Sequence, residues 1–284
     1  MTTRTTYKSA LDQQFSLPSA PIVVQKLNAL LDSDRAGNAE VARVVETDQA
    51  FTARVLRVVN SPFYGFTRQI TSVTEAITML GLNTLHQLLL TTSMVNAFAG
   101  RIAGKQLTEF WRHSFGVGVL AKHILYNSGE DSRREAFIAG ILHDMGRLVF
   151  MQMDVDTFTR FYYEELRALD LKAEEETFGI DHQQLGRLLA EKWNFPERLV
   201  AVIGGHHTPM DAVGPRSLTA SVHLADLLAH TLNIGSSGTF YVAAFCPESW
   251  SIVAMSQQKL ELVIRESLQE IESAGGLFRE LAAP

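Results

Sequence analysis

The sequence predicts an all-α protein, and three observations support this fold class. Apolar residues recur at helical spacing along most of the chain, capping residues precede the expected helices, and Gly or Pro separates them. Strand signals are weak, and only Thr239 to Phe245 competes as a strand. We expect these helices to pack around one substantial apolar core, because the chain has 284 residues and 46% hydrophobic content.

Capping residues order the helices of the first half. Asn38 and Asp48 each precede an apolar run, and Ser72 with Glu75 has the form of a capping box. Asn60-Ser61-Pro62 ends the helix that begins after Asp48, and an aromatic loop follows it. These signals predict helices over about 22–31, 41–45, 51–59, 73–80 and 83–98.

The stretch from Gly100 to Gly104 predicts a boundary between two helical lobes. The expected division is an N-terminal extension (1–14), a first lobe (15–104), a second lobe (105–232) and a C-terminal loop with an amphipathic helix (233–284). Gly235 to Gly238 is predicted to be a flexible turn. Beyond the boundary, helices are expected over about 107–124, 133–150, 155–169, 197–204, 217–232 and 256–273. A further helix is expected to begin at about residue 182.

Composition limits the partners and the compartment. The formal charge is −6 and no block of Lys or Arg is present, which argues against nucleic acid or an anionic membrane as the main partner. The single cysteine, Cys246, excludes an internal disulfide and a thiolate zinc cluster. Neither a signal peptide nor a run of about 18 apolar residues is evident. We therefore expect a cytoplasmic protein.

The adjacent pair His143-Asp144 is the most informative feature. Histidine and carboxylate together suit a divalent transition metal, and neighbouring helical residues diverge by about 100°, so the pair can reach two sides of one ion or bridge two ions. A single histidine in a helix is more often a half-buried polar residue than a ligand. The other potential ligands are His113, His182, His206, His207 and Asp226, whereas His86, His123 and His230 have no evident place.

This set contains more ligands than one ion can use, which predicts a binuclear centre. One site could take His113, His143, Asp144 and Asp226, and His182, His206 and His207 add to this set. Two ions bridged by Asp144 and a hydroxide would use all of these residues. Two ions about 3.5–4 Å apart, bridged by a carboxylate, can bind phosphate oxygens and activate water for attack on phosphorus. The nitrogen-rich donors favour Fe, Mn, Ni, Co or Zn over Mg alone.

Two further residues fit this centre by their spacing. Glu109 precedes His113 by one helical turn and lies on the same helix face, so it is a candidate ligand; the alternative is a solvent-exposed charge. Arg147 follows His143 by four residues and is a candidate catalytic residue that contacts a phosphate oxygen. The alternative for Arg147 is a structural ion pair.

Longer stretches resemble the HDOD branch of the HD superfamily of metal-dependent phosphohydrolases, over roughly residues 15–250. In the first half these stretches are LPSAPIVVQKLNALL, VVETDQAFTARVLRVVNSPFYG and ITSVTEAITMLGLNTLHQLLL. In the second half FWRHS, AFIAGILHDMGRLVF, GIDHQQLGRLLAEKWNFPERLVAVIGGHH and HLADLLAH follow the same order. The resemblance implies a two-lobed helical HDOD architecture with an HD-type helical core in the second lobe.

The resemblance also implies site residues. The superfamily pattern marks His113, His143, Asp144 and Asp226 as metal ligands, and the related HD-GYP phosphodiesterases add positions that match His182, His206, His207 and Glu109. This chain lacks the glycine-tyrosine-proline loop of that group, and Arg147 stands where lysine is usual. These departures weaken the case for cyclic-di-nucleotide hydrolysis but not for metal binding.

Two classes of function follow. One is a metal-dependent phosphohydrolase that acts on a nucleotide or another phosphoester, with Asp144 and Arg147 as catalytic residues. The other is a non-catalytic signalling output or scaffold module whose metal site is structural or regulatory, as the additional N-terminal lobe suggests. No sensor or receiver segment is evident, so a separate signalling protein is the expected partner. An open metal cleft favours the hydrolase, whereas a cleft filled by the Asn60–Arg68 loop or by the C-terminal tail favours the module.

Overall fold

The structure, a computed structural model, describes residues 17–31, 37–61, 64–98, 105–164, 171–238 and 244–273. Its regular elements within these ranges are helices and none is a strand, which confirms the predicted all-α class. Most of the competing strand segment and the predicted lobe boundary lie outside the described residues. None of the described helices combines the length and the apolar character that a membrane crossing requires.

The N-terminal helices begin largely where their capping residues predict. They are α1 (Ile22–Leu31), α2 (Asn38–Glu46), α3 (Gln49–Val59), α4 (Val73–Leu80) and α5 (Leu82–Phe98). Asp48 accepts the N–H of Phe51 at 2.9 Å, and Ser72 Oγ accepts the N–H of Glu75 at 3.1 Å. The Asn38 cap is wrong by one residue, because extended Gly37 holds the N-cap position and Asn38 is already helical.

The second half of the chain supplies the remaining helices. They are α6 (Lys105–Ile124), α7 (Glu130–Leu142), α8 (Met145–Met153), α9 (Val155–Thr159), a π-helical turn (Arg160–Glu164), α10 (Leu171–Phe178), α11 (His182–Lys192), α12 (Glu197–Ile203), α13 (Arg216–Thr231), α14 (Pro247–Ile252) and α15 (Gln257–Ser273). Helix α6 is central, because α7, α13 and α15 all pack against it. Lys122 and His123 of α6 both contact Glu270 of α15.

The helix predicted over 133–150 is in fact two helices, because the chain turns at His143 and Asp144. Asp144, at φ −97° and ψ 14°, precedes α8 but forms no capping hydrogen bond. Its Oδ2 instead accepts a hydrogen bond from Arg147 Nη1 at 2.9 Å. The carboxylate is thus directed into the protein interior rather than along the helix axis.

The helix predicted over 155–169 is also interrupted. It is α-helical only to Thr159 and then widens into the π-helical turn; residues 165–170 lie outside the described residues. Such wide turns often occur at functional sites. Here the turn carries Tyr162, whose hydroxyl donates to Glu174 Oε1 at 2.7 Å.

Close glycine contacts bring the histidine-bearing helices together. A Cβ on Gly140 would lie 2.6 Å from the Cα of Gly118, so α6 and α7 touch at these two residues. A Cβ on Gly146 would lie 2.0 Å from the carbonyl oxygen of His182 and 2.9 Å from the nitrogen of Gly186, so α8 crosses α11 in backbone contact. No other residue type fits at such approaches.

The N-terminal helices contact the histidine-bearing helices through polar as well as apolar groups. Asn28 Nδ2 donates to the carbonyl of Trp193 at 2.8 Å, and Asn28 Oδ1 lies 2.9 Å from His86 Nε2. Trp193 Nε1 in turn donates to the carbonyl of Pro18 at 2.9 Å. His86, which has no place in the ligand set, therefore has a structural role at this junction. The four-part division of the chain remains a prediction.

Candidate metal centre

Five separate parts of the chain meet at one buried cluster of histidines and carboxylates. Its members are His113 from α6, His143 and Asp144 from the turn between α7 and α8, His182 from the start of α11, His206 and His207 after α12, and Asp226 from α13. All are buried except His207, whose side chain is 14% exposed. The structure thus brings together the candidate ligands that the sequence offered, apart from Glu109.

Asp144 lies at the middle of the cluster. Its Oδ1 is 3.2 Å from His182 Nε2 and 3.6 Å from His206 Nε2. Its Oδ2 is 3.4 Å from His143 Nε2 and 2.9 Å from Arg147 Nη1. The two oxygens of one carboxylate therefore face two different sets of nitrogens.

Asp226 is the second carboxylate of the cluster. Its Oδ1 is 3.1 Å from His113 Nε2, 3.3 Å from His230 Nε2 and 3.7 Å from His143 Nε2. Its Oδ2 is 3.9 Å from His207 Nδ1. Asp226 thus belongs with His113 and His143, on one side of Asp144.

Three of the histidines are fixed through Nδ1, which leaves Nε2 free for the centre. His143 Nδ1 donates to the carbonyl of Gly140 at 2.7 Å, and His206 Nδ1 donates to the carbonyl of Ile203 at 3.1 Å. His182 Nδ1 donates to Glu174 Oε2 at 2.6 Å. A histidine that binds metal usually donates its other ring N–H to such an acceptor, which fixes the tautomer and the ring orientation.

The donor set fits a metal site. His143 Nε2, Asp144 Oδ1 and His207 Nδ1 are buried and have no hydrogen-bond partner among the described residues. The Nε2 atoms of His182 and His206 lie 3.3 Å apart, so two lone pairs face each other unless a cation or a proton lies between them. Atoms that each lie about 2.0–2.2 Å from one ion stand about 3 Å or slightly more apart. The observed separations are of this size.

The ligand atoms fall into two groups that share one residue. In each group the atoms lie within 4.8 Å of one another; one comprises Asp144, His182, His206 and His207, and the other comprises His113, His143 and Asp144. A further group of the same kind consists of His113, Asp226 and His230. The first two groups share Asp144, the carboxylate that the sequence suggested as a bridge between two ions.

Burial and nearby charges set the protonation states of the centre. Burial opposes ionisation of Asp144, yet Arg147 and His143 hold its pKa well below the usual range, and the histidines around Asp226 do the same there. Burial lowers the pKa of His206 to about 4. Burial also opposes protonation of His143, but Asp144 outweighs it and raises the pKa of His143 to about 10. Ionised carboxylates thus attract positive charge, which a proton on His143 supplies when no cation is bound.

Arg147 is occupied by neighbouring groups. Only 4% of the residue is exposed; Nη1 donates to Asp144 Oδ2 and to Ser237 Oγ, and the guanidinium carbon lies 5.6 Å from the centroid of the Tyr162 ring. Its Nε is 3.7 Å from Glu174 Oε1. This geometry matches the structural ion pair considered from the sequence more closely than a contact with substrate phosphate.

Glu109 lies outside the ligand groups found among the described residues. Its side chain is 31% exposed, and its Oε2 is 3.9 Å from Arg112 Nη1. Its backbone carbonyl, rather than its carboxylate, faces the segment that follows α13, because it accepts the N–H of Ser236 at 3.0 Å. The assignment of Glu109 as a ligand stays a prediction.

Sequence reasoning assigned no role in the centre to several residues that contact it, although it placed His223 on the same helix face as Asp226. His230 follows Asp226 by one helical turn, and this spacing was the available signal. Glu174 is buried and bonds His182, but no sequence spacing indicates it, because the two residues belong to different helices. His223 donates from Nδ1 to the carbonyl of His206 at 2.8 Å and accepts the N–H of Cys246 at Nε2 at 3.2 Å.

The segment predicted as a flexible turn after α13 is packed against the centre. A Cβ on Gly235 would lie 2.4 Å from the nitrogen of His113, and Ser237 is buried against Arg147. In the described part of the aromatic loop before α4, Tyr64 lies near Arg134, which is about 13 Å along α7 from His143. The segment just after α13 therefore contacts His113 of the cluster and Arg147 beside it.

Comparison with known proteins identifies the family. The sequence profile of the HDOD domain matches residues 17–209. An uncharacterized protein from Treponema pallidum (strain Nichols) is 24% identical over 213 residues, which are 70% of this chain and 39% of that protein. The chain thus spans about two fifths of the length of this relative.

Solved structures share the fold over almost the whole chain. An HDOD domain protein of unknown function from Geobacter sulfurreducens is 27% identical, with a TM-score of 0.72 and coverage of 99% of this chain and 98% of that one. A protein from Shewanella amazonensis SB2B, named as a candidate phosphohydrolase, is 23% identical, with a TM-score of 0.67 and coverage of 97% and 96%. A protein from Marinobacter aquaeolei VT8, named as a candidate signal transduction protein, is 19% identical, with a TM-score of 0.71 and coverage of 99% of this chain and 66% of that one. The chain belongs to the HDOD family.

Proposed function

We propose that this HDOD protein binds two divalent transition-metal ions and uses them to hydrolyse a phosphoester, such as a nucleotide, within a signalling pathway. The single observation that carries the proposal is the position of Asp144. Its Oδ1 faces His182 and His206, whereas its Oδ2 faces His143. A carboxylate with one oxygen toward each of two nitrogen-rich groups is the bridge that a binuclear centre requires.

The donors indicate which metals the centre takes. Imidazole nitrogen and carboxylate oxygen together suit Fe, Mn, Co, Ni or Zn, whereas Mg prefers oxygen ligands and retained water. When bound, two such ions would supply Lewis-acid polarisation of a phosphoryl group and a water molecule of lowered pKa. The chain itself supplies neutral His206, ionised carboxylates and fixed ring orientations.

The charge balance favours an anionic substrate. With the histidines neutral, as metal ligands are, the buried carboxylates of Asp144, Asp226 and Glu174 and the guanidinium of Arg147 together leave two net negative charges. Two divalent cations would reverse this to two net positive charges, so that an anion is needed to restore neutrality in a buried site. Phosphoesters carry that charge and offer oxygens to both ions.

In this proposal Arg147 is a positioning residue rather than a group that contacts substrate. It holds Asp144 Oδ2 at 2.9 Å and is itself held by Ser237. An arginine cannot lose its charge in this environment, because nearby Asp144 raises its pKa further despite burial. The fixed ion pair therefore sets the orientation of the bridging carboxylate.

A second candidate function is a non-catalytic signalling module with a structural or regulatory metal site. The observation that favours it is burial, since among the seven residues of the cluster His207 alone has a side chain more than 3% exposed. A phosphoester would have to enter past His207 or displace the segment that follows α13. In this alternative the metal stabilises a surface that a signalling protein recognises.

The two candidate functions differ in whether the metal-bound protein hydrolyses a substrate. Metal-stripped protein is reconstituted with Fe²⁺, Mn²⁺, Co²⁺, Ni²⁺ or Zn²⁺ and assayed with bis(4-nitrophenyl) phosphate and with a panel of nucleotides. Hydrolysis that requires metal, is lost in Asp144→Ala and persists in Asp131→Ala supports the enzyme; Asp131 is a matched control because its side chain is 92% exposed. Tight metal binding that raises the melting temperature without any turnover supports the module. Failure to bind any of these metals would contradict both.

A further inference from the structure

His230 occupies a position that the sequence left without a role. It lies on α13 one turn after Asp226, and its side chain is 6% exposed. Its Nε2 is 3.3 Å from Asp226 Oδ1, and its ring centroid is 4.6 Å from that of His113. A nearly buried imidazole thus faces the same carboxylate oxygen as a proposed metal ligand.

Three imidazole nitrogens converge on this one oxygen. Asp226 Oδ1 is surrounded by the Nε2 atoms of His113, His230 and His143, at 3.1, 3.3 and 3.7 Å. One carboxylate oxygen accepts about two hydrogen bonds, so three imidazole nitrogens within this distance are more than it can use as donors. The same nitrogens around a cation, with the carboxylate as a fourth ligand, would form an ordinary coordination shell.

On the side of the centre where His113 and Asp226 lie, the sequence predicts Glu109 as the additional ligand, because it stands one turn before His113 on α6. Its carboxylate is 31% exposed and lies 3.9 Å from Arg112, outside the ligand groups of the described residues. His113, Asp226 and His230 in contrast place one ligand atom each within 4.8 Å of one another. The additional donor on this side is therefore an imidazole from α13.

We propose that His230 is a ligand of one of the two metal ions. This ion, called the first, is the one bound by His113, His143, Asp226 and the shared Asp144. This inference rests on the proposed binuclear centre and adds to it. Replacing an expected carboxylate by a neutral imidazole makes the shell richer in nitrogen and less negative by one charge. The first ion is then drawn from the borderline metals Fe²⁺, Co²⁺, Ni²⁺ and Zn²⁺ in preference to Mg²⁺ or Ca²⁺.

Cobalt titration of the metal-stripped protein provides the test, because the visible absorption of bound Co²⁺ reports its coordination without any assay of activity. We expect His230→Ala to bind the first ion about 10–100-fold more weakly, or to lose it, and to change the Co²⁺ spectrum. Asp131→Ala, the control, should bind two ions with the wild-type spectrum, because its side chain is 92% exposed. Circular dichroism of each variant establishes that it is folded.

The variant His230→Gln separates a ligand from a hydrogen-bond donor. Glutamine can still donate to Asp226 through its amide but is a poor ligand for these metals. We expect His230→Gln to resemble His230→Ala. Wild-type affinity and spectrum in either His230 variant would overturn the inference while the binuclear centre stands, provided that wild-type protein binds two ions. If wild-type protein binds no Co²⁺, the proposed function itself fails.

Discussion

Glu174 accepts two hydrogen bonds from His182, one from its backbone N–H at 2.7 Å and one from ring Nδ1 at 2.6 Å. The carboxylate therefore fixes both the start of α11 and the tautomer of a proposed ligand. Burial opposes ionisation of Glu174, but His182 and Arg147 outweigh burial and hold its pKa below the usual value. When a histidine binds a metal, a carboxylate that accepts its other ring N–H increases the affinity of the site for that metal.

Glu174→Gln should weaken metal binding about 10–100-fold, because the amide cannot match a carboxylate as acceptor for both N–H groups of His182. The measurement is a metal titration of stripped protein. Glu176→Gln is the control, since the Glu176 side chain is 70% exposed at the protein surface. Equal affinity in Glu174→Gln and wild-type protein would show that His182 needs no such support.

Tyr162→Phe should lower the free energy of unfolding by about 1.5–3 kcal/mol, because a buried hydrogen bond to a charged group is lost. The Tyr162 hydroxyl donates to Glu174 at 2.7 Å, and burial together with Glu174 raises its pKa well above 10, so it remains a donor at neutral pH. Urea unfolding measures the change. Tyr126→Phe, at a residue 40% exposed, should change stability by less than about 0.5 kcal/mol. A similar effect of both substitutions would contradict this role of Tyr162.

Gly146→Ala should destabilise the protein by about 1–3 kcal/mol or more, because the added methyl group would lie 2.0 Å from the carbonyl oxygen of His182. The separation of α8 and α11 should also reduce metal affinity. Gly129→Ala is a matched control, since a Cβ there has no atom within 4 Å and φ is −59°. Denaturant unfolding and metal titration of both variants test the contact. Wild-type values for Gly146→Ala would show that the two helices separate without cost.

His223→Ala should weaken metal binding, because the His206 carbonyl loses its hydrogen bond from Nδ1 and the link to residue 246 is broken. His223→Asn should restore part of the affinity, since the asparagine amide can replace Nδ1–H as donor. Cys246→Ser should leave affinity unchanged, because the backbone N–H of Cys246, not its thiol, bonds His223. A loss of metal in Cys246→Ser would contradict this description of the link.

Local signals in the sequence account for much of the fold. The caps at Asp48 and Ser72 form as predicted, because each depends on residues within one helical turn. The break at His143 was not predicted, because the same residues also suit a continuous helix. The turn there depends on Arg147 and on contacts with α11, which are set by tertiary packing.

The sequence predicted the candidate centre to about the same extent as the fold. Order and spacing of histidines and carboxylates indicated the ligand groups, because those residue types are few and distinctive. Glu174 and Ser237 were missed because glutamate and serine are common, and their contacts join segments far apart in the chain. Glu109 and His230 show the limit most clearly. Each stands one helical turn from a proposed ligand, yet only His230 belongs to a ligand group of the described residues, and the assignment of Glu109 stays a prediction.

Metal content per chain is the most direct test of the central claim, that Asp144 bridges two ions. Wild-type, Asp144→Ala and Asp131→Ala proteins are purified after expression with iron and manganese, and elemental analysis measures the ions bound by each. We predict about two transition-metal ions per chain in the wild-type and Asp131→Ala proteins and loss of most of this metal in Asp144→Ala. Unchanged metal content in folded Asp144→Ala protein would contradict the account.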